Sequence, residues 1–141
     1  MSENYLNKLQ DMFNTYLKAI NPPDNICPTL EFLDIKTGLP DAYDSKINKV
    51  FINVDFAIID DEDEWTHHYE DARSSIIHEL CHFIQHKMIC EVGTTAKAYD
   101  RRKLKQNNDH KHGEDFIEAL MYFGNNTKIN FSLDHLIKYI F

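Results

Sequence analysis

Apolar positions along the chain follow two periods, and the period changes from one segment to the next. From Glu3 to Ile20, the residues Tyr5, Leu6, Leu9, Met12, Phe13, Tyr16, Leu17 and Ile20 recur at helical spacing. This predicts a packing helix that Asn21-Pro22-Pro23 stops. Thr29 to Ile35 alternates as a strand does, and Thr37-Gly38-Leu39-Pro40-Asp41 supplies turn residues. Lys49 to Ile59 is a second, β-branched run. Its Val50, Ile52, Val54 and Phe56 share one face and Phe51, Asn53 and Asp55 the other, as in a sheet partly covered by helices. A third short strand is expected over Ala42 to Ile47.

The helical period returns where Ile77, Leu80, Cys81, Ile84 and Met88 form one long apolar stripe. That helix is expected to begin between Thr66 and Asp71. The five acids Asp60 to Glu64 just before it read as a solvated loop, and their charge suits the positive end of the helix dipole. His67 and His68 are adjacent, so they point apart on a helix and read as surface residues. A third helix opens at His112-Gly113-Glu114-Asp115-Phe116, carries Phe116, Leu120 and Phe123, and stops at Gly124-Asn125-Asn126. A final short helix is expected from Ser132, its N-cap, through Tyr139. Helices segregated from a small sheet make this an α+β chain.

Composition narrows the class. A chain of 141 residues, 43% hydrophobic and 12% aromatic, suits one compact domain over residues 1–141. No apolar run approaches the ~18 residues of a membrane span. Met1-Ser2-Glu3-Asn4-Tyr5 lacks the basic and apolar regions of a signal peptide, so a cytoplasmic location is expected. Cys27, Cys81 and Cys90 are odd in number and show no C-x-x-C spacing, which indicates neither a disulfide framework nor a zinc ribbon. The net charge of −8 disfavours binding of nucleic acid by the whole surface. Charge is uneven, however: Ala96 to His112 carries +4 and leaves −12 for the rest. Lys97, Arg101, Arg102, Lys103 and Lys105 there read first as a solvated segment. Lying between candidate ligand segments, they are also able to attract an acidic protein or make a weak nucleic-acid contact. Oligomeric state leaves no sign in the sequence.

The chemistry sits in Ile76-Ile77-His78-Glu79-Leu80-Cys81-His82-Phe83-Ile84, an H-E-x-x-H pentapeptide inside the apolar run. A turn of 3.6 residues places His78 above His82 on one helix face, so two imidazoles can share one cation. Glu79 projects about 100° away, where a carboxylate can take a proton from a metal-bound water and pass it to a leaving amine. In a chain with eight histidines the pattern arises by chance at roughly 0.03 per chain, and the apolar stripe around it lowers that further. A catalytic zinc takes three protein ligands. The metzincin extension is excluded by Gln85 and Met88, and His86 lies a further turn along, as a packing or supporting residue. His110, His112 and Glu118 remain as third donors. His112 is favoured because Gly113 lets the backbone turn at a helix start that Phe116 anchors.

H-E-L-C-H followed by H-G-x-x-F, from Ser75 to Phe123, resembles the SprT-like metallopeptidases, the group that includes the Spartan DNA–protein crosslink proteases. The resemblance implies a zincin-like minidomain: an N-terminal helix, a small sheet, the H-E-x-x-H helix and further helices, with Zn2+ on His78, His82 and His112 and Glu79 as general base. A zinc-dependent peptidase acting on a protein or peptide is therefore the leading expectation. The alternative is a zinc-binding regulatory or interaction domain, nucleic-acid-associated or not, without efficient catalysis.

Overall fold

A computed structural model describes residues 4–92 and 114–129 of the chain. The first helix, α1, spans Tyr5–Ile20. The Asn4 side chain caps it by accepting from the Asn7 backbone N–H at 3.0 Å. Asn21 closes it in the left-handed region, φ 49°, with its N–H on the Leu17 carbonyl, and Pro22 cannot prolong it. Tyr5, Leu9, Met12, Phe13 and Ile20 are buried, so the stripe read from the sequence is the packing face.

Three strands form one sheet in the order β1-β3-β2: β1 Thr29–Asp34, β2 Ala42–Asp44 and β3 Lys49–Val54. β3 is central, parallel to β1 and antiparallel to β2, with Thr29 opposite Lys49 and Tyr43 opposite Val50. Gly38, at φ 72°, ends the single 3₁₀ turn Ile35–Thr37 between β1 and β2, a conformation in which a side chain is strained. Val50, Ile52 and Val54 are buried on one face, as alternation predicts. Phe56 departs from the expectation. The strand ends at Val54, the Asp55 carboxylate accepts from the Ala57 N–H at 3.0 Å to start a 3₁₀ turn, and Phe56 is 40% exposed. The third strand is also shorter than Ala42 to Ile47.

The acid run is not a loop throughout. Asp61 caps a one-turn helix, α2 Glu62–Trp65, and Trp65 is buried with its ring stacked on Tyr5 at 5.2 Å. α3 follows at Tyr69–Phe83, within the expected window, and continues as a π-helical segment, Ile84–Val92. The last described helix, α4, spans Glu114–Thr127. It does not stop at Gly124-Asn125-Asn126. Its end comes at Lys128, φ 63°, where the Ile129 N–H reaches back to the Gly124 carbonyl at 3.2 Å, the bond that closes a helix through a left-handed residue.

α3 packs on β3 and β2, α1 lies against β1 and α3, and α4 closes against α1 and α3. Phe116, Ala119, Leu120 and Phe123 of α4 are fully buried, and the Tyr122 hydroxyl donates to the Ile20 carbonyl at 2.9 Å, tying α4 to the end of α1. The buried residues of all these elements form a single hydrophobic cluster. Truncating one of its aromatics, such as Phe123, to Ala would cost about 3–5 kcal/mol. The architecture is α+β: an N-terminal helix, a small three-stranded mixed sheet and further helices. Among the described residues no helix is long and apolar enough to cross a membrane.

Candidate metal centre

α3 is apolar on the side that meets the sheet and α4. Ala72, Ile76, Ile77, Leu80, Cys81 and Phe83 are buried there. With those positions fixed in the core, the helical period leaves His78 and His82 half-buried at its margin, one turn apart. Their Nε2 atoms lie 3.2 Å from one another, and the ring centroids are 4.8 Å apart at 70°. Phe116 of α4 presses on both, 5.2 Å from the His78 ring and 4.7 Å from the His82 ring. This apolar wall restricts how far either imidazole can swing. Gln85, fully buried, presents Oε1 at 3.0 Å from His82 Nδ1.

Glu79 is the buried member of the group, 5% exposed. Burial, with the Asp41 charge as the smaller cause, pushes its carboxyl up to about 8. Its carboxylate and the two imidazoles each offer a donor atom, all within 4.8 Å of one another. Among the described residues this is the group of three that could hold a metal ion. The spacing fits one. Two nitrogens bound tetrahedrally at 2.0–2.1 Å stand roughly 3.3 Å apart, close to the 3.2 Å between the imidazoles.

The group opens on a cleft of about 340 Å³ lined by Asp41, Ala42, Tyr43, His78, Glu79, His82 and His86. One wall is α3 and the other is the edge strand β2 with the turn before it. Tyr43 stands opposite Val50 and so takes the inward face of the sheet. Its ring meets Phe83 edge-on at 5.9 Å and stacks on His86 at 6.2 Å, while its hydroxyl donates to Asn48 Oδ1 at 2.6 Å. Asp41 accepts from the Asn53 N–H at 2.6 Å and from its side-chain amide at 3.1 Å, which pins the turn beside Glu79.

The residues singled out in the sequence therefore divide. His78, Glu79 and His82 come together. His86 reaches the same cleft and meets the His82 ring at 6.4 Å, which suits the supporting role expected of it. Glu118 is half-buried on α4 and is not a member of the group. His67 and His68 are exposed. His110, His112 and the basic residues Lys97, Arg101, Arg102, Lys103 and Lys105 lie outside the described residues, as does the helix expected from Ser132. Cys81 is fully buried and its thiol is raised well above the ordinary value, by burial first and by Glu79 second, so it packs as a thiol and not as a thiolate ligand.

Sequence reading missed the parts played by Asp41 and Tyr43 in the cleft wall and by Gln85 behind His82. Asp41 was legible as a turn residue and Tyr43 as part of a strand, but neither carries a mark of the helix it will face. Gln85 did leave a signal: it stands three residues after His82, within side-chain reach along a helix. Comparison of the chain with protein-family models, with curated proteins and with solved structures finds no match.

Proposed function

We propose that this chain is a zinc-dependent peptidase of the SprT-like kind, a zincin-like minidomain that hydrolyses peptide bonds in a protein or peptide. The observation that carries the reading is the His78–His82 pair, Nε2 to Nε2 at 3.2 Å, with the Glu79 carboxyl beside it in one cleft. His78 and His82 hold the ion through Nε2, and the third donor is His112, ahead of His110 and Glu118. Zinc, when bound, supplies a Lewis acid that polarises a carbonyl and lowers the pKa of a water towards 7.

The chain's own residues do the rest. Glu79 accepts a proton from the attacking water and delivers it to the leaving amine. Burial raises the carboxyl in the metal-free chain, and a cation at the imidazoles would draw it back towards the charged form, the one that accepts the water's proton. Structural zinc would need no such base, which favours catalysis over a purely structural centre. The cleft lies between α3 and β2, the last strand in the sheet order, so a bound peptide would lie beside Asp41, Ala42 and Tyr43.

The test is metal content measured alongside hydrolysis of a fluorogenic peptide library, for the wild type and Glu79→Gln. Chelator-sensitive cleavage in the wild type, absent in a Glu79→Gln protein that still holds zinc, is the expected result. A wild-type protein that holds zinc and cleaves nothing in the library points instead to the binding or regulatory domain.

A further inference from the structure

The side chains of a helix lean towards its N-terminus, so a residue three positions on can reach back to the ring before it. Gln85 does this from the first turn of the π-helical segment, with Oε1 3.0 Å from His82 Nδ1. It is 0% exposed. An amide in such a place costs free energy unless it is hydrogen-bonded, and its oxygen can only accept. A neutral imidazole has one N–H and one lone pair, so an acceptor at Nδ1 puts the proton there and leaves the lone pair on Nε2. That lone pair faces His78 Nε2 at 3.2 Å, where the ion would sit.

We propose that Gln85 is a positioning residue for the metal: it fixes His82 in the Nδ1–H form and holds the ring so that Nε2 is ready to ligate. The proposal rests on the reading of His82 as a ligand and extends it to a residue outside the H-E-x-x-H motif. Phe116 limits the swing of the ring by packing, but a phenyl group cannot choose between the two nitrogens. Gln85 makes that choice. Without it the Nδ1–H form loses that stabilisation, and metal-ligating histidines that lose such a partner typically lose 10–100-fold in affinity.

The experiment reads tautomer and affinity, not turnover. Long-range ¹H–¹⁵N NMR of the chelated wild type should show His82 with its proton on Nδ1. Gln85→Met, similar in length and without the amide oxygen, should shift His82 off that form and weaken zinc binding by about 10–100-fold in chelator competition, with circular dichroism unchanged. Gln85→Glu, which restores an acceptor, should recover the Nδ1–H form and most of the affinity. Wild-type affinity in a folded Gln85→Met protein overturns the proposal. Should Gln85→Met fail to fold, the wild-type spectrum decides, because a proton on His82 Nε2 overturns it as well. A wild type that binds zinc no better than the double variant His78→Ala/His82→Ala removes the metal reading itself and with it the purpose assigned to Gln85. That outcome is distinct, since the tautomer is measured without metal.

Discussion

Two pairs of histidines lie ten residues apart on nearly continuous helix, and they have opposite fates. His67 and His68 are neighbours in sequence, both exposed, in the turn that leads into α3. His78 and His82 are four apart, half-buried, and bring Nε2 to within 3.2 Å of Nε2. Residue type is the same, so spacing and surroundings make the difference. Adjacent helical residues diverge by about 100° and cannot converge on one ion, whereas residues four apart stack. The second pair also has a phenyl wall from α4 and an amide acceptor behind one ring, while among the described residues the first pair has neither.

The contrast breaks most directly by removing the stacked pair. His78→Ala/His82→Ala should lose zinc altogether. Each single variant should weaken binding by on the order of several hundredfold, if ligand contributions share the apparent 10–16 kcal/mol of a structural zinc site roughly equally. Chelator competition with zinc or cobalt measures both. Full occupancy in the double variant would remove the assignment.

Next in size is Glu79→Gln. It should retain zinc and fold while hydrolysis falls by about 10²–10⁴-fold, the usual contribution of a positioned general base. Peptide turnover together with metal analysis separates this from ligand loss: a variant that loses metal along with activity would make Glu79 a ligand.

Much of this was open to sequence reading because the signals are local. The i, i+4 placement of His78 and His82 follows from helix geometry, and the helix from Ile77, Leu80, Cys81, Ile84 and Met88. α1 and the buried side of β3 were legible for the same reason. What failed depended on single side-chain bonds. The Asp55 carboxylate turned the chain after Val54 and left Phe56 outside, and Asp61 made a helical turn of residues that composition marked as loop. Gly124 read as a stop, yet it is buried inside α4, and Lys128 took the left-handed position instead. Asp41 and Tyr43 were hidden for a different reason. Their part in the cleft comes from α3 lying on β2, a contact between segments more than thirty residues apart that no periodicity encodes.

The raised Glu79 carboxyl gives a pH effect on the chelated protein. Its pKa of about 8 lies above the ordinary 4.5, with burial the main cause. Between those values the folded state binds more protons than the unfolded one, so stability falls as pH rises. The contribution is full below about 4.5, declines across the interval and is lowest above about 8. A tenfold change in proton affinity is worth about 1.4 kcal/mol, so the whole fall is on the order of 5 kcal/mol at most. Urea denaturation in chelator at pH 5.5 and 8.5 should show it, and Glu79→Gln should flatten it. Added zinc should oppose the loss at high pH, because a cation beside the carboxylate favours its charged form.

The smallest expected effect falls on the other pair, and it tests the comparison from its quiet side. His67→Ala/His68→Ala removes two imidazoles that lie in a short 3₁₀ turn, where His68 precedes α3 without a side-chain cap bond. The contact that ties this turn to α1 runs from the Tyr5 hydroxyl to the His68 backbone carbonyl at 3.1 Å, and alanine keeps that carbonyl. Exposed substitutions away from caps and core usually change stability by no more than about 0.5 kcal/mol. Zinc affinity should therefore stay within about twofold of the wild type, against several hundredfold for either stacked histidine. If the double variant instead lost zinc tenfold or more, histidines at the helix start would be contributing to the ion. The claim that spacing separates the two pairs would then fail.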